Sequence, residues 1–530
     1  MGGLKYFVHS QQGFIMNLHS RRRFLQFLGY GAVIGSLPLL KSCQSSKKFL
    51  APSNQDDLLL HEGLSYYKII SWGDKINSKE VFGFNNDYIN IYNLSPTEMI
   101  MWVNHEYINP LFVSGQERNA KNIAIEKSLV GGSLIHLEYK QGQWKHVVND
   151  KYNQGVRGHT MIPFNNGIKV MGEHLVEGTL ANCAGGKTPW KTFLTCEENY
   201  DQFYGERKSP KEKIDFSGAY LHWNKISPNN LPEHYGWVVE IDPKTGKAKK
   251  HTNLGRFAHE SATCVKDKTG NVVVYSGDDK INQHLYKFIS ESGSNFDKGI
   301  LYVANLETGK WLPLDLELSP ILKKHFKTQL DVHIYARKAA KILGATELNR
   351  PEDIEIHPHT GDVFVALTNN KTKGDLHGSI LKISEDKGSY NSLSFKSETF
   401  ILGGENSNFS CPDNMAFDEN GNLWFATDIS GSKMGKPPYE KFKNNGLFVV
   451  PSKGEMAGQA IQVGSAPIDA ELTGLCFSEN YDTLFLSVQH PGETTRDINN
   501  PTSHWPDGGI PKPSVVAIQG PFLTSMAMKV

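Results

Sequence analysis

Four acidic residues recur at one place in a repeated sequence unit. Each acid lies four residues before an apolar residue of a short predicted strand, and the four are Glu260, Glu352, Asp413 and Glu471. Because equivalent positions of successive units lie on a ring about a common axis, we expect these carboxylates to converge at one channel. Converging carboxylates repel one another unless cations neutralise them. The pattern therefore predicts a metal site, with the alternative that each acid caps a strand or binds turn amides.

A second set of polar residues follows the partner strand of each unit. Its members are Glu106, the Cys-Glu-Glu-Asn run at 196–199, Asp278 and Asp279, Asn369 and Asn370, Asp428, and Gln489 with His490. The start and the end of a hairpin lie side by side, so both sets should share one end of the channel. Oxygen ligands favour hard cations such as Ca²⁺, and a thiolate together with carboxylates can hold iron. From this set we predict metal ligation by Glu106, Cys196, Glu197 and Asp278, and the alternative for Cys196 is an inert core thiol.

The repeated unit also indicates the fold. Each complete copy is a short strand, a polar turn and an apolar strand that ends in polar residues, and the copies are 262–278, 354–369, 415–429 and 475–489. Segments 99–106 and 190–199 share the second half of the unit. Six units predict an all-β, six-bladed β-propeller with inserted loops. One short helix is predicted around 334–343, in a stretch that crosses the top of the fold.

Composition supports a turn-rich globular protein and excludes some functions. The chain has 530 residues with 49 glycines, and its 56 Lys and Arg balance its 56 Asp and Glu. This balance gives no long-range field that would favour nucleic acid. A propeller of this length forms one domain, so residues 46–530 are predicted to be a single catalytic unit. The sequence contains neither a G-x-S-x-G nucleophile elbow nor an H-E-x-x-H zinc helix, which disfavours covalent serine catalysis.

The N-terminal residues 1–45 are typical of a twin-arginine export signal. The basic run Arg21-Arg22-Arg23 precedes a short apolar segment at 27–40, which is too short and too rich in Gly and Pro for a stable membrane span. We therefore expect the twin-arginine machinery to export the folded protein to the periplasm or the exterior. Cys43 resembles a lipoprotein cleavage site, so a lipid anchor in the outer membrane is an alternative, and Met16 is an alternative start. The five remaining cysteines are odd in number and form no C-x-x-C pair.

Several ordered motifs lie along the chain, at 182–186, 188–190, 194–199, 255–260, 284–288, 344–346, 350–353, 367–370 and 412–414. They include Asn-Cys-Ala-Gly-Gly at 182–186, Leu-Thr-Cys-Glu-Glu-Asn at 194–199 and Arg-Pro-Glu-Asp at 350–353. Together they closely resemble the motifs of PhoX-type alkaline phosphatases, and the resemblance spans about 104–493. Many ordered motifs in one chain are more specific than any one of them.

The resemblance implies a six-bladed propeller with iron and calcium that hydrolyses small-molecule phosphomonoesters. It makes Cys196 an iron ligand, places Glu260 and Glu352 in the metal cluster, and gives Arg350 the catalytic role of binding the substrate phosphate. We expect a monomer that touches the membrane only through a lipid anchor. Two alternatives remain: a calcium-dependent lactonase or phosphotriesterase-type propeller, and a non-catalytic ligand-binding propeller. The propeller fold fits all three, and only the Cys-Glu-Glu and Arg-Pro-Glu motifs favour the phosphatase.

Overall fold

The computed structural model describes residues 49–523, so the predicted export signal and Cys43 lie outside the described residues. Within this range the strands form six antiparallel sheets of four or five strands each, which we call blades 1 to 6. The innermost strand of each blade contacts the innermost strand of the next blade, and the sixth contacts the first. This closed ring confirms the predicted six-bladed β-propeller.

Blades 1 to 3 come from the first half of the chain. Blade 1 contains β3 (Asn86–Ser95), β4 (Glu98–His105), β5 (Gly131–Lys140) and β6 (Gln143–His146), and β7 (Gln154–Arg157) also pairs with β5. Blade 2 contains β10 (Asn182–Lys187), β11 (Phe193–Glu197), β12 (Val238–Ile241) and β13 (Ala248–His251). Blade 3 contains β14 (His259–Lys266), β15 (Val272–Asp278), β16 (Leu285–Ser290), β17 (Gly299–Asn305) and β18 (Lys310–Pro313). A separate hairpin is formed by β8 (Met161–Pro163) and β9 (Leu175–Glu177).

Blades 4 to 6 come from the second half, and the N-terminal strands complete two of them. Blade 4 contains β19 (Pro351–Ile356), β20 (Val363–Leu367), β21 (Ser379–Glu385) and β22 (Phe395–Leu402). Blade 5 contains β23 (Pro412–Phe417), β24 (Leu423–Thr427), β25 (Gly446–Val450), β26 (Ile461–Ser465) and the short β1 (Leu59–Leu60). Blade 6 contains β27 (Glu471–Phe477), β28 (Thr483–Gln489), β29 (Ser514–Gln519) and β2 (Ser65–Ser71). Because β2 pairs with β29, the two ends of the described chain are joined and the ring is closed.

The hydrophobic core lies between neighbouring blades. Tyr275 of blade 3 and Val365 of blade 4 belong to one buried cluster, and Phe364 packs with Phe425 of blade 5 in the next. Side chains on successive residues of a strand point to opposite faces, so each apolar middle strand contributes to two of these cores. This packing fixes the ring and leaves the ends of the inner strands to carry polar groups.

Every innermost strand has an irregular register close to its start. The shifts fall between Asn86 and Ile89, Asn182 and Gly185, Glu260 and Thr263, Pro351 and Ile354, Pro412 and Met415, and Thr473 and Cys476. A bulge of this kind bends a strand and changes the direction of its side chains. The repeated bulge can therefore turn one side chain of each blade toward the axis.

Short helices occupy the connections between strands. They are α1 (Pro110–Val113), α2 (Ala120–Lys127), α3 (Asp201–Tyr204), α4 (Trp223–Ile226), α5 (Gln329–Ile334) and α6 (Ala336–Leu343). Helix α6, between blades 3 and 4, confirms the helix predicted around 334–343, and its Arg337 reaches back to blade 3. None of the helices in the described part of the chain is long and apolar enough to cross a membrane.

Candidate metal centre

Five blades place an acid or a thiol at the same position of the innermost strand. These residues directly follow the first paired residue of the strand, at the bulge, and they are Asp87, Cys183, Glu260, Glu352 and Asp413. In blade 6 the acid Glu471 is itself the first paired residue. The structure therefore brings together four predicted carboxylates, Glu260, Glu352, Asp413 and Glu471, at one end of the channel.

Two potential ligand groups share Cys183. The ligand atoms of Asp87, Glu106 and Cys183 all lie within 4.8 Å of one another, and so do those of Cys183, Glu198 and Glu260. The sulfur of Cys183 thus lies where the two groups meet. The distances are short enough for one cation to contact all three residues of a group.

The second strands contribute another set of acids to the same end of the channel. Glu106, Glu198, Asp279 and Asp428 each directly follow the second strand of their blade. The backbone N–H of each donates to the carbonyl oxygen of the residue before the innermost strand, at 2.8 to 3.0 Å. In blade 4 the equivalent residue is Thr368, whose N–H donates to the Arg350 carbonyl oxygen at 3.1 Å. The same backbone contact therefore sets the position of these residues in five blades.

Unpartnered oxygen atoms show that this cluster fits cations. Asp87 Oδ1, Glu198 Oε1, Glu260 Oε2 and Asp413 Oδ1 are buried without a hydrogen-bond partner. Burial, and then repulsion from Glu352, Glu198 and Asp413, raises the pKa of Glu260 well above its usual range. Native proteins leave few buried polar atoms unpaired. Bound cations would give these carboxylate oxygens partners and would neutralise the repulsion between the acids.

Arg350 lies at the edge of the cluster of acids, and its side chain is held in a fixed orientation. Its Nε and Nη2 donate to the two carboxylate oxygens of Asp279 at 2.8 and 2.9 Å, and Nη2 also lies 2.8 Å from Glu352 Oε1. The backbone of Arg350 has a positive φ of 54°, which costs free energy in a non-glycine residue. Its side chain is 24% exposed, so the guanidinium remains accessible from a cavity beside the ring.

Comparison with known proteins identifies the family. The model of the family described as alkaline phosphatase PhoX matches residues 46–492. The chain belongs to the PhoX family of alkaline phosphatases. It is thus a hydrolase of a metal-dependent family, and the ring of acids with Cys183 supplies groups able to bind metal. No curated protein sequence matches the chain.

The chain was also compared with solved structures, and a PhoX structure supports the same family. PhoX from Pseudomonas fluorescens, in complex with vanadate, a transition state analogue, is 28% identical, with a TM-score of 0.80 over 89% of this chain and 97% of that chain. A protein of unknown function from Dyadobacter fermentans is 10% identical, with a TM-score of 0.42 over 87% of this chain and 99% of that one. A gluconolactonase from Xanthomonas campestris is 9% identical, with a TM-score of 0.34 over 83% of this chain and 97% of that one. The similarity to the Pseudomonas phosphatase is the one that supports the family assignment.

The structure places Cys196, a predicted iron ligand, away from the clustered acids. Its side chain is fully buried in the hydrophobic core between blades 2 and 3, with Leu194 and Val238, and is absent from both potential ligand groups. Side chains alternate along β11, so Cys196 shares the apolar face of Leu194. The thiol that lies among the clustered acids is Cys183, on the neighbouring strand β10.

Two predicted acidic ligands form ion pairs instead. Glu197 Oε1 lies 2.7 Å from Lys250 Nζ, both side chains are fully buried, and Glu197 Oε2 accepts from the Trp237 N–H. Arg337 Nε and Nη2 donate to Asp278 at 2.7 and 2.5 Å, one bond to each carboxylate oxygen. Lys250 and Arg337 compensate the charges of Glu197 and Asp278, and neither acid belongs to the two potential ligand groups.

The sequence prediction assigned no ligand role to several residues of the cluster. Asp87 and Cys183 were absent from both predicted sets, and Glu198, Asp279 and Asp428 were placed at this end of the channel without being predicted as ligands. The sequence signal that could have identified Glu198, Asp279 and Asp428 as candidate ligands is their shared position. Each directly follows the second strand of its blade. Glu106, which was predicted, has the same position, and its Oε2 accepts from Gln489 Nε2 at 2.7 Å.

We expect the metal-free protein to lose stability as pH rises from about 5 to about 8. Burial raises the pKa of Glu106 from 4.5 to about 7, and it also raises the pKa values of Glu198 and Glu260. Such groups bind protons more tightly when folded, so their contribution is present below the unfolded pKa and is lost as pH rises through the folded pKa. Melting temperatures of chelator-treated and metal-loaded protein across this range would measure the effect. The metal-loaded protein should lack the decline, and a flat profile for the metal-free protein would contradict the cluster.

Proposed function

We propose that this phosphatase is an exported phosphomonoesterase that uses iron and calcium. The observation that supports the metals is a buried thiol, Cys183, between carboxylates with unpartnered oxygens. A thiolate with carboxylates suits iron, and clusters of carboxylate oxygens suit calcium. The candidate ligands are Cys183, Asp87, Glu106, Glu198 and Glu260, together with Glu352, Asp413 and Glu471.

Arg350 is proposed to bind the substrate phosphate. Asp279 holds Nε and Nη2, and Nη1 has no hydrogen-bond partner among residues 49–523, so it is left to donate to a phosphate oxygen. Charge-assisted donors of this kind stabilise the negative charge of a transferring phosphoryl group. Cations bound at the ring would supply further positive charge for the phosphate oxygens and would activate water. Asp279 acts through Arg350 by orienting its guanidinium.

We also propose that the protein works outside the cytoplasm as a monomer. The support for export is the twin-arginine pattern at 20–26, and export in the folded state would allow metal loading before transport. The support for a monomer is that one chain supplies every residue of the two potential ligand groups. Lipidation of Cys43 would add an anchor in the outer membrane.

Parallel assays of different substrates test this function. We expect hydrolysis of p-nitrophenyl phosphate at alkaline pH, a loss of at least about 100-fold after chelation, and recovery when iron and calcium are restored. A phosphodiester, a phosphotriester and a lactone should react much more slowly. A faster lactone or triester reaction would favour the calcium-dependent hydrolase alternative. An unchanged rate after chelation would contradict a metal-dependent mechanism.

A further inference from the structure

A cavity of about 260 Å³ opens beside the proposed phosphate-binding residue. Arg350 and Asp428 line the cavity, and Arg350 Nη2 also lies 2.8 Å from Oε1 of the clustered acid Glu352. Ile281, Ile429 and Tyr439 provide apolar surface around it, and Lys371 and Lys433 lie in the same lining. A substrate whose phosphate contacts Arg350 can therefore place its leaving group in this space.

The cavity has room for a small leaving group. Its volume of about 260 Å³ accommodates a three- or four-carbon group beside Arg350. Ile281 and Tyr439 offer the apolar contact that a short carbon chain needs.

Two lysines without partners give the cavity positive charge. In the part of the chain that the structure describes, the ammonium groups of Lys371 and Lys433 have no hydrogen-bond or ion-pair partner. They come from different blades, because Lys371 follows β20 and Lys433 follows β24. The chain as a whole has equal numbers of acidic and basic residues, so this charge is a local feature. Unpaired positive charges around a cavity attract an anionic group on a ligand.

We propose that this cavity receives the leaving group and that Lys371 and Lys433 select phosphomonoesters of small hydroxy acids. The carboxylate of such a leaving group would approach the two ammonium groups, while its carbon chain contacts Ile281 and Tyr439. This proposal rests on the proposed phosphatase function and on Arg350 as the phosphate-binding residue. It makes Lys371 and Lys433 specificity-determining residues that leave the metal ring untouched.

A pair of nearly isosteric substrates tests the proposal. 3-Phosphoglycerate and glycerol 3-phosphate both have three carbons, and they differ in carrying a carboxylate or a hydroxymethyl group. We expect a higher kcat/KM for 3-phosphoglycerate with the wild-type enzyme. The Lys371→Ala/Lys433→Ala double variant should lower kcat/KM for 3-phosphoglycerate about tenfold, mainly through KM, and that for glycerol 3-phosphate less than about twofold.

Two lysines on the same segments provide matched controls. Lys373 Nζ donates to the Glu347 carbonyl oxygen at 2.7 Å and Lys436 Nζ donates to the Ser432 carbonyl oxygen at 2.9 Å, and neither residue lines the cavity. The Lys373→Ala/Lys436→Ala double variant removes the same net charge, so it should leave the substrate preference unchanged. Added salt should weaken the wild-type preference, because it screens exposed charges.

The possible outcomes separate this proposal from the proposed function. An equal loss for both substrates, or an equal effect of the control variant, would overturn the specificity role of the lysines. A wild-type enzyme that hydrolyses p-nitrophenyl phosphate without any preference for 3-phosphoglycerate would also overturn it, while the phosphatase function would stand. Failure to hydrolyse any phosphomonoester in the metal-loaded form would instead contradict the proposed function.

Discussion

The Cys183→Ser variant should retain its fold, lose iron and lose about three orders of magnitude in phosphatase turnover. The sulfur of Cys183 belongs to both potential ligand groups, with Asp87 and Glu106 on one side and Glu198 and Glu260 on the other. Serine replaces a strongly donating thiolate with a neutral hydroxyl, so a soft ligand is lost from the centre of the cluster. Calcium should remain bound in part, since the carboxylates are unchanged. Metal content and turnover measured on the same sample would check this.

The Cys196→Ser variant is the matched control. It introduces the same hydroxyl thirteen residues later in a fully buried site of the hydrophobic core. Without a partner the hydroxyl should cost about 1–3 kcal/mol of stability, and the metal content and turnover should remain normal. Loss of iron from the Cys196→Ser variant with full iron in the Cys183→Ser variant would reverse our assignment of the thiol.

The Arg350→Ala variant should fold and bind its metals but lose about two to three orders of magnitude in kcat/KM. The guanidinium is oriented by Asp279 and is accessible from the adjacent cavity, so its loss removes a donor aimed at the phosphate. Inorganic phosphate should inhibit the variant more weakly than the wild type, because product and substrate share this contact. Near-normal turnover in a metal-replete variant would remove Arg350 from the substrate site.

Arg337 provides the comparison for Arg350. It also forms a bidentate ion pair with an acid of blade 3, Asp278, and its side chain is similarly exposed at 26%. It lines a different cavity, away from the proposed phosphate position. The Arg337→Ala variant should therefore lose stability without the selective weakening of phosphate inhibition.

The sequence predicted the propeller because its signal is repeated. Four complete copies of one hairpin pattern and two partial ones indicate six blades even when a single copy is weak. The closure of the ring by β2 and β29 was not visible, since it joins residues such as Tyr66 and Ile518 that are far apart in the chain.

The cluster was predicted only in part because two innermost strands lack an apolar pattern. Strand β10 has the sequence Asn-Cys-Ala-Gly-Gly-Lys, which is typical of a loop, so Cys183 was not aligned with Glu260 and Glu352. In blade 1 the sequence pattern revealed the second strand but not the first, so Asp87 on the first strand was not identified. The bulge that gives these residues a common position is a property of backbone pairing, and no residue type encodes it.

The positions of Glu197 and Asp278 have a different explanation. Both residues stand next to members of the cluster, but one residue along a strand reverses the direction of the side chain. Their partners Lys250 and Arg337 are 53 and 59 residues away in sequence, and only the tertiary structure brings them close. The ends of predicted strands therefore locate the cluster to within one residue. Which of two adjacent acids faces the cluster depends on the tertiary structure.

Elemental analysis of protein purified after export from its native host tests the central claim most directly. A cluster built from Cys183 and the surrounding carboxylates predicts iron and calcium together in the folded, active protein. The Cys183→Ser protein prepared in the same way should contain calcium and no iron. Zinc alone, or active wild-type protein without iron, would contradict the proposed centre.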